Sequence, residues 1–279
     1  MPKVFVAGPV SWNRLVELDR LPEPRPHTVF ARGHRTVLGG TSAGKALNLA
    51  YLGAEVTLRT VVGDDEEGRR ITEVLTAAGV ELIAETVPAS EQHLNLMTPE
   101  GGRLSIYLEL PSLTTPEHDS RALAALAAAD AAVIDLADPA RPFLAMAREH
   151  GVPVWCDVHD YDGKSAFHQD FVAAADHLFL NDDGMPEAEL LAFLEKHGRA
   201  VATQGAKGAT AVVDGETHHV DAVPVPRIVD TNGAGDAFFS GYLVAHLSGA
   251  DTPNALRAGA EQAARCLASP DLAPAKPGD

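Results

Sequence analysis

AAVIDLADPARPFLAMAREHGVPVWCD, residues 131–157, sets the architecture. The apolar run at 131–136 reads as a buried strand. Residues 139–150 read as a helix, and 152–157 as a second strand. Strand, helix and strand in so short a span make one parallel βαβ unit. Working outward, a helix over 119–129 precedes it. Helix 166–175 then leads to strand 177–180, and helix 186–197 to strand 200–203. This alternation predicts an α/β fold, a mostly parallel central sheet flanked by helices.

The same logic extends to both ends. Upstream lie strand 4–7, helix 42–53, strand 55–62, a helix from Asp64-Asp65 through Ala78, and strand 80–87. The pieces at 10–38 and 91–109 have β character but no helices. The second contains strands 92–97 and 103–108 around the turn Gly101-Gly102. They are expected to form a small β-sheet lid within one domain covering 1–279. A hairpin at 209–221, an extended run at 223–229 and helices at 234–248 and 252–268 complete the chain. The Pro-rich last ten residues are expected to fray.

Hydrophobic residues make up 46% of the 279, ample for a core. The formal charge is −17, which argues against nucleic acid and anionic membranes as partners. No apolar targeting segment or membrane-length run occurs, so a soluble cytoplasmic protein is expected. Cys156 and Cys266 make no disulfide or metal pattern, and the 12 histidines show no metal-ligand spacing. His159, between Asp157 and Asp160, reads as part of a polar loop at a strand end, where Asp157 can face a ligand.

The chemistry concentrates in DTNGAGDAFFSG, residues 230–241. It opens a helix, and small residues precede Asp236. Backbone N–H groups of Gly233, Ala234 and Gly235 can converge on an anion at the positive helix end. Asp236 is placed to accept a proton from an attacking hydroxyl. An anion hole, a helix dipole and an oxygen acceptor are what phosphoryl transfer requires. The plain alternative is a glycine turn with Asp236 as a first-turn cap.

The run resembles the C-terminal signature of the ribokinase/PfkB carbohydrate kinase family, Asp-Thr-x-Gly-Ala-Gly-Asp. Gly39-Gly40 before the 42–53 helix and Val61-Val62-Gly63-Asp64-Asp65 resemble its N-terminal signature. Thr203-Gln204-Gly205-Ala206-Lys207-Gly208 looks like its nucleotide-binding turn, and 99–103 like its lid hairpin. The resemblance implies a ribokinase-like fold and an ATP-dependent kinase that phosphorylates a hydroxyl of a small sugar, sugar acid or nucleoside. It implies Asp236 as catalytic base, with Gly233, Ala234 and Gly235 as anion hole. Asn181, Thr203, Gly205, Gly208 and Thr231 would bind ATP. Asn13, Gly39, Gly40, Thr41 and Lys45 would bind substrate. Mg²⁺ would be ordered through water by Asp182 and Asp183, and K⁺, where used, held at Asp230. A homodimer through the lid is a further expectation.

Three departures stand out. Asn13 occupies the position of a substrate-gripping Asp. Gly44, followed by Lys45, replaces an Asn. In Asn181-Asp182-Asp183-Gly184, Gly184 replaces a Glu that orders Mg²⁺-bound water, and Glu187 is another acid in reach. Two other function classes compete. Gly39 to Lys45 matches most of a P-loop, but Ala46 stands where Ser or Thr would hold Mg²⁺. A non-catalytic sugar- or nucleotide-binding protein on the same fold is the second. The dinucleotide fingerprint is incomplete, because Phe238 stands at its third glycine.

Overall fold

The computed structural model describes residues 1–99, 101–111 and 119–274. From the N-terminus the elements run β1 (Lys3–Ala7), β2 (Ser11–Glu17), β3 (Gly33–Gly39), α1 (Thr41–Tyr51), β4 (Glu55–Gly63), α2 (Glu66–Ala77), β5 (Glu81–Val87), β6 (Glu91–Met97) and β7 (Arg103–Glu109). Then follow α3 (Ser120–Ala127), β8 (Ala131–Ile134), α4 (Pro142–His150), β9 (Val154–Asp157), α5 (Gln169–Ala174), β10 (His177–Asn181) and α6 (Glu187–His197). The last elements are β11 (Arg199–Thr203), β12 (Ala209–Val213), β13 (Glu216–Val220), α7 (Ala234–Leu247) and α8 (Thr252–Leu267).

Nine strands form one sheet in the order β13-β12-β11-β10-β9-β8-β1-β4-β5. Pairing is parallel from β5 to β11 and antiparallel across β12 and β13. Every residue of β8 and β9 is buried, as expected where helices cover both faces. Alternate side chains feed two cores. Val4, Val6, Leu58 and Phe179 pack with Leu49, Phe239 and Leu256 of α1, α7 and α8. Phe5, Ile134 and Leu178 pack on the other face with Leu126, Leu144, Phe171 and Leu190 of α3 to α6.

From β1 the sheet grows through β4 and β5 on one side and β8 to β11 on the other. The crevice between β1 and β8 is therefore a topological switch point, where open α/β sheets bind ligands. The expected small sheet has the order β3-β2-β6-β7. Its outer pairs are antiparallel, but β2 and β6 run parallel.

Some expectations need correction. The extended run at 223–229 pairs with neither sheet, because Pro224 and Pro226 cannot donate to a ladder. Residues 28–32 also stay outside β3. The end of the chain is packed rather than frayed as far as 274. Leu272 is buried, and its carbonyl accepts from Asn48 Nδ2 at 2.8 Å and Cys266 Sγ at 3.4 Å. Residues 275–279, and Glu100 of the lid hairpin, lie outside the described residues. Both cysteines are buried and free.

Candidate active site

Adjacent strands β8 to β11 deliver a row of polar groups at their C-terminal ends. Asp135 follows β8, and Asp157, Asn181 and Thr203 end β9, β10 and β11. Helix α1 lies against α7 and presents Lys45 to this row. The Lys45 side chain has no exposed surface. Its Nζ lies 2.9 Å from Asp135 Oδ1, 2.9 Å from Asp236 Oδ1 and 3.3 Å from Asp157 Oδ2. Ser42 Oγ donates to the other Asp135 oxygen at 2.6 Å. A P-loop would need the lysine to face phosphate, whereas here it faces carboxylates. The residue expected to bind substrate is instead fully buried and paired to these three carboxylates.

Asp236 lies in the first turn of α7. Gly233 is the N-cap with φ 80°, a left-handed conformation that favours glycine, and no side chain caps the helix. Gly235 has open space where a side chain would project. Thus the positive end of α7 is left for an anion. Burial raises the Asp236 pKa to about 6, with Lys45 opposing the shift and Asp157 adding to it. Burial also pushes Asp157 up, but His159 and Lys45 outweigh it and hold Asp157 below the ordinary carboxylate range. The Lys45 ammonium is held well above its usual pKa. Burial disfavours its charge, but Asp135, Asp236 and Asp157 together override that.

Gly44 explains one departure. A Cβ there would lie 2.6 Å from Asp236 Oδ2 and 3.1 Å from Asp236 Cβ. Because Lys45 pins the same carboxylate, it cannot yield freely. Gly44→Ala is expected to fold normally and lose about tenfold in kcat, the scale of a sub-ångström misplacement. Steady-state kinetics beside a thermal melt check this.

The small sheet turns a polar face inward. Ser11 and Asn13 of β2 pair with Glu91 and His93 of β6, and Asn95 lies one step on. All five are buried. His93 Nε2 and Glu91 Oε1 are 2.8 Å apart, and the Tyr107 ring lies tilted against His93 with centroids 4.0 Å apart. Ser11 Oγ, Asn13 Oδ1 and Asn95 Oδ1 have no hydrogen-bond partner among the described residues. A side chain at Gly39 would fall 2.0 Å from Asn13 Nδ2. Gly40, with φ 89°, packs behind Pro9, and Thr41 opens α1. Pro9 in turn lines a cavity of about 340 Å³ over the β1–β8 crevice, walled by Gly8, Arg59, Glu91, Tyr107, Ala137 and Phe167.

Further along the sheet, Gly205 to Gly208 form a tight turn between β11 and β12. Asn181 Oδ1 accepts from the Asp183 N–H at 3.0 Å, which shapes the loop after β10. Gly184 cannot be the missing Glu, because any Cβ would fall 2.3 Å from the Asp160 carbonyl. The Asp182 and Asp183 carboxylates make no hydrogen bond or ion pair among the described residues. Thr231 is exposed. Asp230 has both oxygens engaged, one by the Asn232 N–H at 2.9 Å and one by the Arg35 guanidinium. Arg35 also donates to the Pro270 carbonyl at 2.5 Å.

Sequence reasoning missed Asp135, Ser11, Glu91, His93, Asn95 and Arg35. The polar alternation Glu91-His93-Asn95 was the available signal, but period-2 polarity ordinarily marks the solvent side of a sheet.

A carboxylate thus lies beside an uncapped helix N-terminus, at the end of a parallel sheet where ligands bind in open α/β folds. The chain belongs to the pfkB family of carbohydrate kinases, whose model matches residues 1–277. Acarbose 7(IV)-phosphotransferase from an Actinoplanes species is 30% identical, over 92% of this chain and 89% of its own. ATP-dependent ribose-1-phosphate kinase from Halopiger xanaduensis is 30% identical, over 92% and 88%. Among solved structures, the microbiome-derived acarbose kinase Mak1 superposes with a TM-score of 0.83 at 29% identity, over 96% of this chain and 93% of its own. Arabidopsis thaliana ribokinase, complexed with ribose and ATP, shares the fold with a TM-score of 0.82 at 23% identity, over 99% and 96%. The chain is a carbohydrate kinase with a ribokinase-like fold. No described helix is long and apolar enough to cross a membrane.

Proposed function

We propose that this kinase transfers the γ-phosphate of ATP to a hydroxyl of a small sugar-like substrate, with Asp236 as general base. The observation that carries this is Asp236 in the first turn of an uncapped helix, with Oδ1 held by Lys45. The substrate O–H bond breaks as its proton passes to Asp236. The oxygen then bonds to the γ-phosphorus, and the bridging bond to ADP breaks. Amides at Gly233, Ala234 and Gly235 face the charge that develops. The nucleotide lies toward Asn181, Thr203 and the Gly205–Gly208 turn, with Thr231 nearby. Asp182 and Asp183 are unengaged and suit outer-sphere contact with Mg²⁺, which would neutralise phosphate charge. K⁺ at Asp230 would have to displace Arg35, so in this reading the guanidinium balances Asp230. The cytoplasm, with its ATP, is the proposed compartment. A second copy would pair along edge strand β7, where Leu104, Ile106 and Leu108 are exposed.

The unpartnered oxygens of Ser11, Asn13 and Asn95 favour a polyhydroxylated substrate, since each costs about 1–3 kcal/mol until a donor arrives. Asn13 is neutral and can donate as well as accept. This suits sugars carrying a carbonyl, carboxylate or phosphate, and one relative is named for ribose-1-phosphate. An ADP-release screen with Mg²⁺ across pentoses, hexoses, their phosphates, sugar acids, nucleosides and acarbose tests the proposal. Unmodified ribose should rank low, and Asn13→Asp should lower kcat/KM for the best substrate by about tenfold or more. No ADP above background with any compound would favour a binding protein on this fold.

A further inference from the structure

The proposed reaction uses Asp236 but leaves Lys45 without a task. A fully buried lysine needs compensation, and here three carboxylates from distant parts of the chain supply it. Asp135 has no exposed side-chain surface, and those of Asp157 and Asp236 are 10% and 11% exposed. Three acids around one ammonium exceed what structural neutrality needs. The two that retain surface are at the mouth, and Asp236 is one of them.

The contacts discriminate between the two oxygens of Asp236. Oδ1 accepts from Lys45 Nζ at 2.9 Å. Oδ2 lies against the hydrogen-only face of Gly44 and takes no hydrogen bond from a described residue. Lys45 is itself fixed. Its ammonium lies 5.2 Å from the Phe239 ring centroid, and its carbonyl lies 3.3 Å from Ser240 Oγ, which donates to the Asp236 carbonyl at 2.7 Å; Phe239, Ser240 and Asp236 are all on α7. Lysine and acid are thus clamped across the α1–α7 contact.

We propose that Lys45 is a positioning residue for phosphoryl transfer: its ammonium grips Asp236 by Oδ1, keeps that carboxylate charged and leaves Oδ2 to receive the hydroxyl proton. This rests on Asp236 being the general base. The ionisable groups around Asp236 are Lys45 from α1, Asp135 after β8, Asp157 and His159 at the end of β9, and Cys266 from α8. Lys45 and His159 are the two that favour its charge. Lys45 alone of the two bonds to it.

The test needs no substrate at first. In the full chain, the ¹³C carboxyl resonance of Asp236, assigned by its loss in Asp236→Asn, is titrated. The wild-type midpoint is expected at about 6. Lys45→Met should raise it by about 1–3 pH units, the effect of removing an adjacent opposite charge. If Lys45→Met does not fold, Lys45→Met/Asp135→Asn keeps the formal charge of the cluster and gives the same readout. The acid limb of kcat/KM, on the best compound of the ADP screen, should move with the NMR midpoint and recover toward pH 9. A lower rate at every pH with an unmoved midpoint would make Lys45 a packing residue and overturn the inference. Wild-type turnover by Asp236→Asn would instead overturn the general-base reading and the inference with it. An inactive Asp236→Asn with an unmoved Lys45→Met midpoint removes the inference alone.

Discussion

Asp236→Asn is expected to fold like the wild type, still bind Mg-ATP and lose about 10²–10⁴ in kcat. The amide oxygen of Asn can keep the bond from Lys45, so the clamp between α1 and α7 survives. What disappears is the basic second oxygen beside Gly44. Replacing a buried charge by an amide also leaves one fewer carboxylate around Lys45, with Asp135 and Asp157 still paired to it. A melting temperature near that of the wild type, together with the kinetic loss, separates chemistry from stability. Wild-type kcat on a confirmed substrate would remove Asp236 from the mechanism.

Gly235→Val is expected to lose on the order of 10² in kcat with little change in stability, the scale of one anion-hole donor. Among the described residues, nothing beyond its chain neighbours and its own helix backbone lies within 4 Å of a Cβ built at Gly235, so the fold has room for the side chain. The cost of Val in a helix is below about 1 kcal/mol. The space it would fill is the approach to the first turn of α7, where the proposed mechanism has the amides face the phosphoryl group. Thermal melts should therefore nearly coincide while turnover collapses. Equal kcat for the two proteins would place the anion hole elsewhere. The contrast with Gly44→Ala is instructive, since there the new methyl meets the base rather than the phosphate path.

Legibility in the sequence followed the range of the interactions. The βαβ alternation of 131–203 was readable because each element announces itself over a few residues. The signature around Asp236 was readable for the same reason, as cap, turn and acid are neighbours. Lys45 was not. Its partner Asp236 lies 191 residues away, and a lysine in a helix ordinarily reads as an exposed charge. Only folding shows that α1 carries it into a ring of acids. Glu91, His93 and Asn95 were hidden by a rule that usually works, since polar alternation marks a wet face until a ligand site inverts it. The absent Glu at Gly184 looked like a lost metal contact. The structure gives a steric reason instead, in the carbonyls of Asp160 and Tyr161.

The short segment after α8 links parts that the chain otherwise keeps separate. Through Pro270 it receives Arg35 of β3, and through Leu272 it receives Asn48 of α1 and Cys266 of α8. Asn48 sits one turn from Gly44 and accepts from Gln262 of α8 at 2.9 Å. The segment therefore ties the small sheet to α1 and α8, and α1 is the helix whose Lys45 meets Asp236 of α7. On the proposed reading, the sheet that faces the substrate and the helix whose lysine grips the general base are thereby fastened to one tether of a few residues.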